Sequence, residues 1–115
     1  MSEDCLFCKV ASGDVPADIV LQNDDYVAFR DIGPQAPTHV LVIPRKHIAS
    51  LDRAADADER LLGGALLMAR DVARQEGIAE RGYRTVINTN KQAHQSVFHV
   101  HLHVLGGRQM KWPPG

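Results

Sequence analysis

His99-Val100-His101-Leu102-His103-Val104 sets the reading of the whole chain. Three imidazoles alternate with three branched apolar side chains, and Leu105 then leads into Gly106-Gly107. Strict alternation of this length predicts a β-strand with one buried face. Residues two apart leave a strand on the same side. His99, His101 and His103 therefore form one row, and Phe98, Val100, Leu102 and Val104 fill the other. Neighbouring histidines in such a row stand roughly 7 Å apart, two strand rises. That is too far for direct contact but close enough for several imidazoles to line one small site. The double glycine ends the strand with a turn.

Three readings of the row compete. A solvent-facing strand with idle histidines is the plain reading of a lone histidine, but three in register in a chain with only six argue against it. A metal site built from all three suits imidazole as a ligand. However, spacing of about 7 Å is awkward for three ligands converging on an ion about 2 Å away. The third reading is an imidazole nucleophile flanked by polar helpers. Neutral imidazole can attack phosphorus and form a covalent intermediate, splitting one hard step into two.

The bulk properties narrow the field. At 115 residues the chain has the size of one domain, spanning 1–115, and can bury a core without disulfides. A formal charge of −1 with mixed signs leaves no electrostatic footprint for nucleic acid. No apolar run approaches the roughly 20 residues of a membrane span. Met1-Ser2-Glu3-Asp4 lacks the basic and apolar regions of a signal peptide, so a cytoplasmic location is expected.

Along the chain, Cys5-x-x-Cys8 comes first, and it admits half a zinc site, a redox pair or chance. A redox pair of the thioredoxin kind follows a strand and opens a long helix; here a short segment ends at Ser12-Gly13-Asp14. Zinc needs two further ligands. After the break Val15-Pro16-Ala17, Ile19–Leu21, Asn23-Asp24-Asp25 and Tyr26–Arg30 read as strand, tight turn, strand. Asp31 closes the second strand beside Ile32-Gly33-Pro34-Gln35-Ala36-Pro37, a fixed loop. Its carboxylate suits either a ribose diol or an Asx-turn cap.

Thr38–Ile43 reads as the third strand, with His39, Leu41 and Ile43 on one side and Val40 and Val42 on the other, and Pro44 as its stop. A helix follows, with Asp56 and Glu59 as an expected capping box. Its apolar face is Leu61, Leu62, Ala65, Met68, Ala69 and Val72, and Gly77 ends it. Gly63-Gly64 costs about 1 kcal/mol per glycine relative to alanine, which points to close packing on the sheet. Tyr83–Asn88 and His99–Leu105 read as the last two strands. The polar connection Thr89–Val97 is long for a hairpin, and such loops often carry function. The aromatic and two prolines of Trp112-Pro113-Pro114-Gly115 cannot extend a sheet or helix.

His-φ-His-φ-His-φ-φ, with φ apolar, resembles the signature of the histidine-triad nucleotide-binding proteins. Cys5–Lys9, Asp31–His39, Ile43–His47 and Gly106–Gly115 are similar to the Hint branch of that family, in order and across essentially the whole chain. The resemblance implies an α+β, HIT-like fold: a five-stranded, mainly antiparallel sheet with one long helix and a short N-terminal one. It implies a homodimer joined through the long helix and a sheet edge, with the Trp112 tail near the partner's site. It implies a structural zinc ion held by Cys5, Cys8, His47 and His99, tying the N-terminal segment to the sheet.

The same resemblance places a purine nucleoside monophosphate or its phosphoramidate against Asp31, Ile32, Asn88, Gln95, Ser96, Val97, His101 and His103. Asp31 would hold the ribose. Asn88, Gln95 and Ser96 would hold the α-phosphate, as hydrogen-bond donors without charge. His101 would attack phosphorus, with its other nitrogen held on the His99 carbonyl; His103 and Ser96 would assist the leaving amine, and His39 would support the proton chemistry. The expected activity is hydrolysis of purine nucleoside 5′-phosphoramidates through a nucleotidyl-histidine. Relatives usually have glycines where Ala93-His94 stands, which leaves His94 within reach of the leaving group. Two other functions share these residues. A dinucleoside polyphosphate hydrolase would keep the triad, though its relatives generally lack Cys-x-x-Cys and Trp-Pro-Pro-Gly. A zinc-containing nucleotide-binding module would serve a protein partner.

Overall fold

The computed structural model describes residues 4–115; the acidic lead Met1-Ser2-Glu3 lies outside them. Cys5 opens the short helix α1 (Leu6–Ser12) by accepting the Cys8 N–H on its thiol, and Gly13 closes it at φ 87°. Asn23 then builds the first hairpin. Its Oδ1 accepts from the N–H groups of Asp25 and Tyr26, an Asx turn between β1 (Ile19–Gln22) and β2 (Tyr26–Arg30). β3 (Thr38–Pro44), β4 (Tyr83–Val86) and β5 (Leu102–Gly106) complete a sheet of order β1-β2-β3-β5-β4, antiparallel at every pairing.

The central strands β2 and β3 are buried on both faces, and the period of two decides which residue goes where. Ala28, Val40, Val42, Leu102 and Val104 pack under the long helix α2 (Glu59–Gln75), against Ala65, Met68, Ala69 and Val72. Val27, Phe29, Leu41 and Ile43 face the other way and pack with Phe7 and Val10 of α1. No helix is long and apolar enough to cross a membrane.

Several boundaries differ from the sequence reading, each for a visible reason. β5 begins at Leu102 rather than His99, because Val100 gives its N–H to the Ile48 carbonyl (2.7 Å) in the segment after β3. β4 stops at Val86, short of Asn88. Phe98 leaves the apolar row and is 50% exposed. Pro44 is the last paired residue of β3, opposite Tyr26. The Asp56–Glu59 capping box is replaced by a 3-10 turn over Asp56–Asp58, in which the Asp58 carboxylate accepts from Ala55 N–H (2.9 Å) and the Lys46 ammonium (2.6 Å).

The two helix glycines also divide. A Cβ on Gly64 would collide with the Tyr26 phenol, whose O–H donates to the Leu61 carbonyl (2.6 Å); one on Gly63 meets nothing within 4 Å. Close packing thus belongs to Gly64 alone. Gly64→Ala is expected to destabilise the protein by about 1–2 kcal/mol, an overpacking cost larger than the helix-propensity gain. Urea unfolding of the variant checks this, and equal or higher stability would contradict it.

Candidate functional site

The strand register assembles the site. β3 and β5 pair with Leu41 opposite His103 and His39 opposite Leu105. His39 and His103 are therefore diagonal neighbours on one face, within reach of long side chains. Their rings meet, His39 Nε2 to His103 Nδ1 at 2.9 Å. Asp31, just past β2, gives its N–H to the His39 carbonyl (3.0 Å), which brings its carboxylate Oδ2 to 3.5 Å from His39 Nε2. Its other oxygen accepts the Gly33 N–H (2.8 Å), so the Asx turn is formed as well.

Backbone groups fix the proton on each ring. Gln35 donates its N–H to His39 Nδ1 (3.0 Å), so neutral His39 carries its proton on Nε2 and donates to His103 Nδ1. His103 then holds its own proton on Nε2. The His101 Nδ1–H donates to the His99 carbonyl (2.8 Å), which leaves the Nε2 lone pair of His101 outward. No hydrogen bond among the described residues engages that Nε2.

His101 is only 5% exposed, yet its ring lines a cleft of about 670 Å³. Asp31, Ile32, Ser96, Val97 and His103 line the same cleft. Asn88 and Gln95 do not. Gln95 is buried behind the wall and braces the loop: its side chain donates to the carbonyls of Ala49 (2.8 Å) and Val97 (3.1 Å) and accepts from Asn90 N–H (2.9 Å). His39 stands behind His103. The row of three imidazoles is thus divided. His101 and His103 face the cleft with ring centres 5.0 Å apart, while His99 turns to the thiols of Cys5 and Cys8.

That second cluster joins Cys5, Cys8, His47 and His99, whose donor atoms all lie within 4.8 Å of one another. His99 gives its Nε2–H to the Pro44 carbonyl (2.7 Å), so its Nδ1 presents a lone pair. From that Nδ1 the distances are 3.4 Å to Cys5 Sγ, 3.5 Å to Cys8 Sγ and 3.2 Å to His47 Nδ1. Tetrahedral coordination at ordinary Zn–N and Zn–S lengths places N and N about 3.3 Å apart and S and N about 3.5 Å apart. The four side chains fit a metal ion of that geometry.

A model of the HIT domain matches residues 12–110. The chain belongs to the HIT family. It is 52% identical over the full length of both chains to an uncharacterized HIT-like protein of Synechococcus elongatus. Among solved structures, a HIT family hydrolase from Legionella pneumophila is 54% identical, with a TM-score of 0.95 over 97% of this chain and all of that one. A histidine triad protein from Clostridium difficile is 33% identical, with a TM-score of 0.94 over 96% of each chain. The chain is thus a hydrolase-like member of the HIT family, with its five-stranded fold.

The walls of this HIT cleft contain residues that motif reading passed over. Leu6, Phe7 and Val10 of α1 and Phe29 of β2 supply its apolar side, and Phe7 sets its ring edge-on to His101 at 5.1 Å between centres. Their signal in the sequence is the apolar set Leu6, Phe7 and Val10 around Cys8. The left-handed backbone at Asn90 and His94, both at φ 67°, falls on two residue types that adopt it more often than other non-glycine residues.

Burial lowers the pKa of His101 below 6.5, against the His99 hydrogen bond and the Asp31 carboxylate, which raise it. The same cause, with His101 and His39 as neighbours, pushes His103 down to about 4. Above pH 6.5 native and unfolded His103 are both neutral. Between 6.5 and about 4 the unfolded chain binds the extra proton, so stability is lost as pH falls through that window. The melting temperature should therefore drop from pH 7 to pH 5, less steeply in His103→Asn; equal slopes in the two proteins would refute the assignment.

Proposed function

We propose that this HIT protein is a nucleoside phosphoramidase of the Hint branch. It hydrolyses the P–N bond of purine nucleoside 5′-phosphoramidates through a nucleotidyl-histidine at His101. One observation carries the reading: His101 is locked as the Nδ1–H tautomer on the His99 carbonyl, with Nε2 bare at the wall of a nucleotide-sized cleft. The hydrolase name of the Legionella relative supports the reaction class.

The chemistry follows from the protons already placed. The base packs against Phe7, Val10, Phe29 and Ile32, and the ribose diol donates to Asp31, whose two oxygens retain acceptor capacity beyond Gly33. His101 Nε2 attacks phosphorus and the P–N bond breaks. Its electron pair leaves on nitrogen, which takes a proton from solvent relayed by the exposed Ser96 hydroxyl. His103, with its proton on Nε2, donates to a phosphoryl oxygen, where charge develops. His39 fixes that tautomer from behind. Water then displaces His101 from phosphorus, and the proton borrowed in the first step returns to solvent.

The ion in the Cys5, Cys8, His47, His99 cluster is assigned as zinc, on the donor set. When bound it supplies a structural tie between α1 and the segments carrying His47 and His99. The protein is further assigned as a cytoplasmic homodimer. Half-exposed Leu66 and Leu67 on α2 and the exposed Trp112 of the tail support self-association through the helix.

Two measurements test these statements. His101→Ala should abolish turnover of adenosine 5′-phosphoramidate and the covalent adduct seen by mass spectrometry, while leaving AMP affinity within about threefold. Wild-type turnover in that variant ends the proposal, and preferential cleavage of diadenosine polyphosphates by the native protein moves it to the other branch. Zinc should be present at one ion per chain, and chelation should lower the melting temperature by several degrees; Cys8→Ser should show neither the ion nor the shift.

A further inference from the structure

The short helix α1 belongs to two sites at once. The thiols of Cys5 and Cys8 lie 3.4 and 3.5 Å from His99 Nδ1. Leu6, Phe7 and Val10 of the same helix line the cleft beside His101. We propose that the metal cluster controls how tightly the cleft holds a nucleotide base. Metal and nucleotide then bind cooperatively, and metal loss weakens nucleotide binding without dismantling His101. The proposal rests on the nucleotide reading of the cleft and adds a control of that same site by metal supply.

What holds α1 argues first. A helix of seven residues is marginal in water by itself, so tertiary contacts set its position. Its C-terminal end has an anchor that needs no metal. Arg45 Nη1–H donates to the Ala11 carbonyl (2.7 Å), and Arg45 Nε–H donates to the Asn23 carbonyl (2.9 Å) in the first hairpin. At the N-terminal end the thiols reach His99 and His47, and Phe7 sets its ring edge-on to Phe29, His99 and His101. Thiols are weak hydrogen-bond partners. An ion bonded to all four side chains therefore restrains this end far more than the thiols do alone.

The other end of the cleft argues second, because it is held without metal. The His99 Nε2–H rests on the Pro44 carbonyl (2.7 Å), and the His99 carbonyl holds the His101 Nδ1–H (2.8 Å). Asp31 is fixed by the Gly33 N–H (2.8 Å) and through its own N–H on the His39 carbonyl (3.0 Å). When the metal leaves, the groups for ribose and phosphate stay in place, and the wall made by Leu6 and Phe7 loosens. The coupling is thus carried by the base. Linkage requires the reverse effect as well: bound nucleotide tightens the metal.

Calorimetric titration of AMP and of ribose 5-phosphate into zinc-loaded and chelator-stripped protein tests this. Stripping should raise the Kd for AMP at least about fivefold, the low end of coupling between two sites, and move that for ribose 5-phosphate by less than about twofold. Saturating AMP should raise the affinity for zinc, read by competition with a chelating dye, by the same factor as it loses on stripping. Hydrogen exchange across α1 should quicken on stripping while that of β3 stays unchanged. Equal AMP affinity in the two forms, or unaltered exchange at α1, overturns the coupling and leaves the nucleotide reading intact. Equal losses for AMP and ribose 5-phosphate, with faster exchange in β3 too, mark general unfolding and also overturn it. No binding of AMP to the loaded protein overturns both readings.

Discussion

His99 makes three commitments at once, and the rest of the molecule depends on their being compatible. Its Nε2–H is given to the Pro44 carbonyl, its Nδ1 faces two thiols and a second imidazole, and its own carbonyl holds the His101 Nδ1–H. The first fixes the tautomer that makes the second possible. The third does the same for His101. A fully buried ring with both nitrogens engaged has little freedom to turn. The cluster that fits a metal and the ring that faces the cleft therefore share one residue. Phe7 closes the arrangement: it is carried by the helix between Cys5 and Gly13, and its edge meets both His99 and His101.

A single alternation specifies both core and site. On β3, Val40 and Val42 go under α2, while His39, Leu41 and Ile43 face α1 and the cleft. Sliding this strand by one residue against β5 would carry His39 under α2 and turn the valines toward α1 and the cleft. The apolar face thus enforces the register that places His39 beside His103 and Asp31 beside His39. Stability and site geometry have a common origin here, and no separate device is needed to align the rings.

What could be read in advance follows the same division. Strand order aside, the five strands, the long helix and the two faces of β3 are visible as alternation, helical spacing and turn signals, whereas the short helix α1 follows only from family likeness. The Cys5, Cys8, His47, His99 set was named through family likeness; spacing alone left the cysteine pair ambiguous. Two things were hidden. The bend at Val100 toward Ile48 depends on a hydrogen bond to a residue 52 positions away, which no local pattern records. The proton positions depend on backbone groups of Gln35, Pro44 and His99, and every residue type has those groups. Gln95 shows the limit of motif transfer: a residue expected at phosphate is buried instead as the brace of its loop.

The neutral row also bears on why the proposed intermediate would not persist. Attack by Nε2 while Nδ1 keeps its proton turns His101 into a cation bonded to phosphorus. Burial opposes that charge, as it opposes simple protonation of the same ring. The His99 carbonyl and the Asp31 carboxylate act in the opposite sense. On the proposed mechanism the site would tolerate the positive ring without stabilising it fully, and expelling a neutral imidazole would relieve the cost of burial. His103, held neutral by the same burial, offers a hydrogen bond to the phosphoryl oxygens without adding a second positive charge. A cationic His103 would stabilise phosphate more but repel the charged ring 5.0 Å away. On the proposed mechanism, neutrality in the row would favour turnover over a trapped adduct.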